Sequence, residues 1–163
     1  MIALKKLSVY VTTIALGIPV ITTADQVTLE CKLYIASDLS STTISGMELK
    51  NAALNLESLR QAGFCLFADG KIAEKQWVSA NSHAADGSHG TLLGISVYTL
   101  ENGDAIHAKY EGSYSSTGLK GDYVILGGVG KYEGAKGSGT ITGTQSPWET
   151  SSVVQIRLDV TTP

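Results

Sequence analysis

The chain has 163 residues, 43% of them hydrophobic and 17% charged, with a formal charge of −3. That composition is normal for a globular protein and argues against disorder, and the acidic balance gives no basic surface that would point to nucleic-acid binding. The length suits one domain, and eighteen glycines against three prolines point to tight turns rather than a stiff linker.

The N-terminus reads as a secretory signal peptide over residues 1–24. Lys5 and Lys6 precede an apolar run from Leu7 to Ile21, and Thr22-Thr23-Ala24 supplies the small residues that a signal peptidase needs. At roughly 15 residues, interrupted by Thr12, Thr13, Gly17 and Pro19, the run is short for a bilayer that asks for about 20. Cleavage is expected near Ala24–Asp25. It leaves residues 25–163 as a single exported domain, periplasmic or secreted, with no stable membrane insertion. Loss of Lys5 and Lys6 takes the mature charge to about −5.

Val27–Ile35 alternates strictly, with Val27, Leu29, Cys31, Leu33 and Ile35 on one face and Thr28, Glu30, Lys32 and Tyr34 on the other. That is the pattern of a half-buried strand. Cys31 and Cys65 permit one disulfide in an oxidising compartment, closing a loop of about 35 residues worth roughly 3–4 kcal/mol. Two buried free thiols are the alternative. The segment 46–62 is two-sided. Ser45 and Glu48 make a capping box, and Leu49, Ala52, Ala53, Leu56 and Leu59 form a helical stripe ending at Gly63. Met47, Leu49 and Ala53 also fit a strand.

Further strands are expected at Phe64–Ala68, Ala73–Ala80, Asp122–Leu126 and Gly137–Gly143. Asn102-Gly103 between Gly94–Leu100 and Ala105–Tyr110 is a hairpin signal, because Asn-Gly favours the two-residue type I′ turn. A two-residue loop sets Ile95 opposite Tyr110, Val97 opposite Ala108 and Thr99 opposite Ile106. The other face then carries Ser96–Lys109, Tyr98–His107 and Leu100–Ala105. The last strand alternates Val154, Ile156, Leu158 and Val160 with Gln155, Arg157 and Asp159. Seven or eight short strands with short turns make an all-β sandwich or closed barrel.

The stretch Leu126-Gly-Gly-Val-Gly-Lys-Tyr-Glu-Gly-Ala-Lys-Gly-Ser-Gly-Thr140, after the hairpin Glu101–Gly112, resembles the glycine signature of the allene oxide cyclase-like barrel proteins. The match spans roughly residues 91–143, with Val129 where a small hydroxyl residue is common. The resemblance implies an eight-stranded antiparallel barrel, related in architecture to dirigent proteins and calycins. Plant members cyclise an unsaturated fatty-acid epoxide held in an apolar cavity; their cavity residues do not map onto this sequence, so that activity does not carry over. The glycines fit a structural role, permitting positive φ and close backbone approach where strands meet, with Tyr132 packed inside the turn. Gly128-x-Gly130-x-x-x-Gly134 lacks dinucleotide-binding spacing, and Lys131-Tyr132 is not a phosphate loop.

Chemistry is less legible. No cofactor motif is present. His83 and His89 flank a polar loop with Asp86, a spacing that matches no known metal-ligand pattern, and no metal is expected. Tyr98, His107 and Lys109 share one hairpin face. If that face lines a barrel they form, with Tyr110 and Trp77, the candidate ligand-binding residues; the apolar set Ile95, Val97 and Ile106 argues instead that it faces solvent. Trp148 is core or rim. No nucleophile elbow and no triad appear, so catalytic residues are unassigned. The reading that follows is an exported barrel binding a small apolar ligand. The alternatives are a filled barrel acting as a structural or interaction protein of the cell envelope, and an isomerase or cyclase that templates its substrate.

Overall fold

A computed structural model describes residues 24–49, 52–145 and 152–163; the expected signal peptide and Trp148 lie outside the described residues. Strands β1 (Gln26–Leu49), β2 (Ala52–Phe67), β3 (Ile72–Ala84), β4 (His89–Leu100), β5 (Ala105–Ser115), β6 (Gly118–Val129), β7 (Lys136–Gln145) and β8 (Ser152–Thr161) follow one another around a closed antiparallel barrel. β8 returns to pair with β1, from Gln26↔Thr161 to Leu33↔Val154. Among the described residues the one helical element is a 3₁₀ turn at Gly130–Tyr132, and no helix is long and apolar enough to cross a membrane.

The alternation sorts residues onto two faces. Val154, Ile156, Leu158 and Val160 of β8 are all buried, as are Cys31 and Leu33 of β1. Ile35 breaks the expected pattern and is 51% exposed. It sits where β1 has passed its last β8 partner, at a register shift between Ile35 and Ser37, and a bulge of this kind redirects side chains. Cys31 and Cys65 form a disulfide between neighbouring strands β1 and β2, with Cα atoms 5.3 Å apart.

The segment 46–62 is strand on both sides of residues 50–51, so its helical reading is overturned. Met47↔Leu54, Glu48↔Ala53 and Leu49↔Ala52 pair across the hairpin, and β2 pairs β3 from Leu54↔Ala84 to Leu66↔Ile72. A capping box supplies about 1 kcal/mol, whereas pairing with β1, joined from Leu54 onward by pairing with β3, gives β2 ladder hydrogen bonds on both edges. Tertiary pairing wins.

The β4–β5 hairpin departs from its expected register by one residue. Leu100 N–H donates to the Asp104 carbonyl (2.9 Å), and Gly103 N–H donates to the Leu100 carbonyl (2.9 Å) with Gly103 at φ 86°. The loop is therefore Glu101-Asn102-Gly103, a turn followed by a positive-φ glycine that adds one residue. Asn102 and Asp104 exchange hydrogen bonds across it. The pairs are Gly94↔Tyr110, Ile95↔Lys109, Ser96↔Ala108, Val97↔His107 and Tyr98↔Ile106. One added residue turns β4 over relative to β5. Ser96 and Tyr98 go inside with Ile106, Ala108 and Tyr110, and Ile95 is 55% exposed outside.

The glycine-rich signature closes the lower end of the barrel, where β6 ends and β7 begins. Gly130 (φ 66°) and Gly134 (φ 71°) bracket the turn, and a Cβ on Gly128 would lie 2.0 Å from the Ala105 carbonyl oxygen. That close approach lets Tyr132 fold its ring inward, where it is 1% exposed.

Candidate functional site

Strand β3 carries Ala73, Lys75, Trp77, Ser79 and Asn81 on its buried parity and Ile72, Glu74, Gln76, Val78 and Ala80 outside. Closure of the sheet turns the first set into the lumen. Lys75 is thereby 2% exposed, the one buried charged side chain among the described residues. Its Nζ donates to the Tyr123 hydroxyl at 3.2 Å. It lies 4.4 Å from the Trp77 ring centroid, 5.6 Å from those of Tyr98 and Tyr110, and 5.8 Å from that of Tyr123. The tyrosines also pack on one another, Tyr98 edge-on to Tyr123 at 6.2 Å and Tyr110 tilted against Tyr123 at 5.5 Å. Gly94 opposite Tyr110 makes room for the cage, since a Cβ there would lie 2.5 Å from that ring.

Four ring faces attract a cation, yet they replace little of the hydration an ammonium loses on burial. Burial therefore pulls the Lys75 amine down to about 7. No carboxylate contributes to that shift. Burial pushes the Tyr98, Tyr110 and Tyr123 phenols up, so all three hold their protons at neutral pH. The Ser96 and Tyr98 hydroxyls and Asn81 Oδ1 are buried without a hydrogen-bond partner. An amine that can be neutral, phenols that keep their protons and two hydroxyls without a well-formed hydrogen bond thus share one aromatic cage.

Toward the upper end the lumen carries a second cluster. His83 Nε2 lies 3.2 Å from Glu57 Oε2, and its Nδ1 is hydrogen-bonded to the Tyr114 hydroxyl. Asn81 Nδ2 reaches the same Glu57 oxygen at 3.3 Å. Both side chains of the His83–Glu57 pair are 25% exposed. Tyr114 lies across Gly90 as Tyr110 lies across Gly94. At the lower end a cleft of about 790 Å³ is walled by Val27, Leu29, Phe67, Leu100 and Tyr132. Leu100 and Phe67 continue the inward rows of Tyr98 on β4 and Cys65 on β2.

Of the sequence-selected residues, Tyr98, Tyr110 and Trp77 meet in this chamber. His107 and Lys109 do not, because they fall on the outward parity of β5, where Lys109 is exposed. His83, His89 and Asp86 do not converge. Asp86 and His89 both bond to Ser88, while His83 turns to Glu57. Sequence reasoning missed Lys75 and Tyr123. The available signal was Lys75 sharing its parity with Ala73, Trp77 and Ser79, but the opposite parity mixes apolar and charged residues as well.

The barrel is similar in fold to solved dirigent proteins. The pterocarpan synthase dirigent protein GePTS1 superposes with a TM-score of 0.56 at 11% identity, covering 93% of this chain and 99% of that one. A second, PsPTS1, gives 0.48 at 12% identity over 84% and 94%. No protein-family model matches the sequence, and no curated protein is significantly similar to it. The likeness to GePTS1 shows that the eight-stranded antiparallel barrel is shared with a dirigent protein, and at that identity it shows the fold alone.

Proposed function

We propose that the barrel interior binds a small molecule with an apolar, flat or conjugated body and one oxygen function. The body lies against the Trp77, Tyr98, Tyr110 and Tyr123 rings, and the oxygen is held by Lys75 and Tyr123. The observation that carries this reading is Lys75 itself, an amine buried with no counter-charge beside hydroxyls that have no partner. Buried polar groups in folded proteins are paired, and exceptions concentrate at sites that wait for a ligand. The lower cleft, where Leu29, Phe67 and Leu100 continue the lumen rows inside a rim of charged side chains that includes Glu30, Asp69, Lys71 and Asp104, is the entrance.

Export is part of the proposal; the leader-like N-terminus and the Cys31–Cys65 disulfide support it. So is affiliation with the allene oxide cyclase-like group, supported by the glycine signature at 126–140. If the bound molecule is itself reactive, the same chamber would template an isomerisation or cyclisation. A filled barrel of the cell envelope is the rival reading, favoured by the near-complete burial of Tyr98, Tyr123 and Ser96.

Native mass spectrometry of protein purified from its own host separates the two. A co-purifying small molecule is expected in the wild type and not in Lys75→Met. Repeated recovery of empty wild-type protein, with no thermal shift on adding cinnamyl alcohol or fatty acids, favours the filled barrel.

A further inference from the structure

Resting on the reading of the lumen as a binding chamber, we infer that Lys75 is a nucleophile and that the molecules it retains are aldehydes or ketones, held as a covalent imine. Three features of the site point to carbonyl chemistry rather than to an ion pair. First, the nitrogen lies among rings and hydroxyls, with no carboxylate holding it protonated. An unprotonated lysine in an apolar pocket is the form that attacks carbonyl carbon. Second, the Tyr123 hydroxyl stands 3.2 Å from Nζ, close enough to serve both nitrogen and carbonyl oxygen. Third, the unpartnered Ser96 and Tyr98 hydroxyls face the same chamber and supply donors for the oxygen as it becomes water.

The step balances without an oxidant or reductant. The Nζ lone pair forms a bond to the carbonyl carbon while the C=O π pair moves to oxygen, which takes a proton from Tyr123. The phenolate recovers a proton from the new ammonium. A second proton transfer along the same path releases the oxygen as water and leaves C=N. The groups facing Nζ are Trp77 from its own strand, Ser96 and Tyr98 from β4, Tyr110 from β5 and Tyr123 from β6. The tyrosines are the titratable ones, and burial keeps them protonated at neutral pH.

The test is reductive trapping of the whole chain near pH 7. Protein is incubated with propanal or trans-cinnamaldehyde and sodium cyanoborohydride, then followed by intact mass and peptide mapping. The expected product gains one probe less its oxygen, at Lys75, faster than any exposed lysine. Lys75→Arg and Lys75→Met, each checked for fold by circular dichroism, should lose that adduct. Tyr123→Phe should slow it on the order of a hundredfold. Cinnamyl alcohol has the same body without a carbonyl, so it separates this inference from the reading beneath it. If the alcohol binds in a Lys75-dependent way but neither aldehyde is trapped at Lys75, the imine is wrong and the binding chamber stands. If neither alcohol nor aldehyde engages the lumen, both fall. Labelling spread evenly over surface lysines also overturns the imine.

Discussion

The lumen holds two polar clusters that differ in one respect. At the upper end Glu57, His83 and Tyr114 bond to one another and remain partly open to water, with Asn81 Oδ1 beside them unpaired. In the middle Lys75 has one phenol for company, and the Ser96 and Tyr98 hydroxyls, close to each other and to Tyr123, make no well-formed hydrogen bond. A network that closes on itself needs nothing further from its surroundings. One that leaves a dry amine and free hydroxyls is stabilised by whatever completes it. On the proposed reading, the contrast favours the middle of the barrel for the ligand, while the upper cluster links β2, β3 and β5.

The largest expected effect comes from titrating the lysine. Its folded value of about 7 lies below the 10.5 of an exposed lysine, so between those limits the unfolded chain binds the extra proton. Stability therefore rises with pH over that window, and the penalty is greatest below pH 7. From pH 7 to 9.5, short of the range where phenols ionise, denaturant unfolding should show the wild type gaining on the order of 3 kcal/mol. Lys75→Met should be more stable than the wild type at pH 7 and flat across the window. An equally steep rise in the variant would show that the lysine is not the cause.

Next in size are the glycines that make room for the two tyrosines. A Cβ at position 94 would lie 2.4 Å from the Val78 carbonyl oxygen and 2.5 Å from Tyr110, and one at position 90 would lie 2.1 Å from the Ser82 carbonyl oxygen and 2.4 Å from Tyr114. Each change to alanine should cost about 1–3 kcal/mol in chemical denaturation. Only Gly94→Ala should also weaken binding in the chamber. Equal loss of binding from Gly90→Ala would move the site upward.

Smaller still, and of opposite sign, are two hydroxyl deletions. Tyr114→Phe removes a partner of His83 and should destabilise by about 1 kcal/mol. Tyr98→Phe removes a buried hydroxyl that makes no well-formed hydrogen bond, and should leave the empty protein unchanged or raise its melting temperature. A clear loss from Tyr98→Phe without ligand would mean that the hydroxyl is already satisfied and the chamber complete.

How much of this was legible in the sequence differs between strand and face. Alternation in Val27–Leu33 and Val154–Val160 announced strands and their inner sides because one parity is almost wholly apolar. On β3 and β4 both parities mix apolar and polar residues, and parity alone decides nothing. Tyr98, Tyr110 and Trp77 were selected as candidates, but the same register placed His107 and Lys109 beside them; one glycine in the 101–103 loop separates the two groups.

By itself, then, the sequence determined an all-β chain, its turns and most strand positions, because these follow from period-two patterning and local backbone freedom. It also allowed the Cys31–Cys65 bond without requiring it. The tertiary structure alone decided which face of β3 and β4 looks inward, since that depends on loop length and on β8 returning to β1 to close the sheet. Closure is what buries Lys75. An amine is an ordinary surface group on an open sheet and a reactive one inside a ring of aromatic side chains, and no local pattern distinguishes those two surroundings.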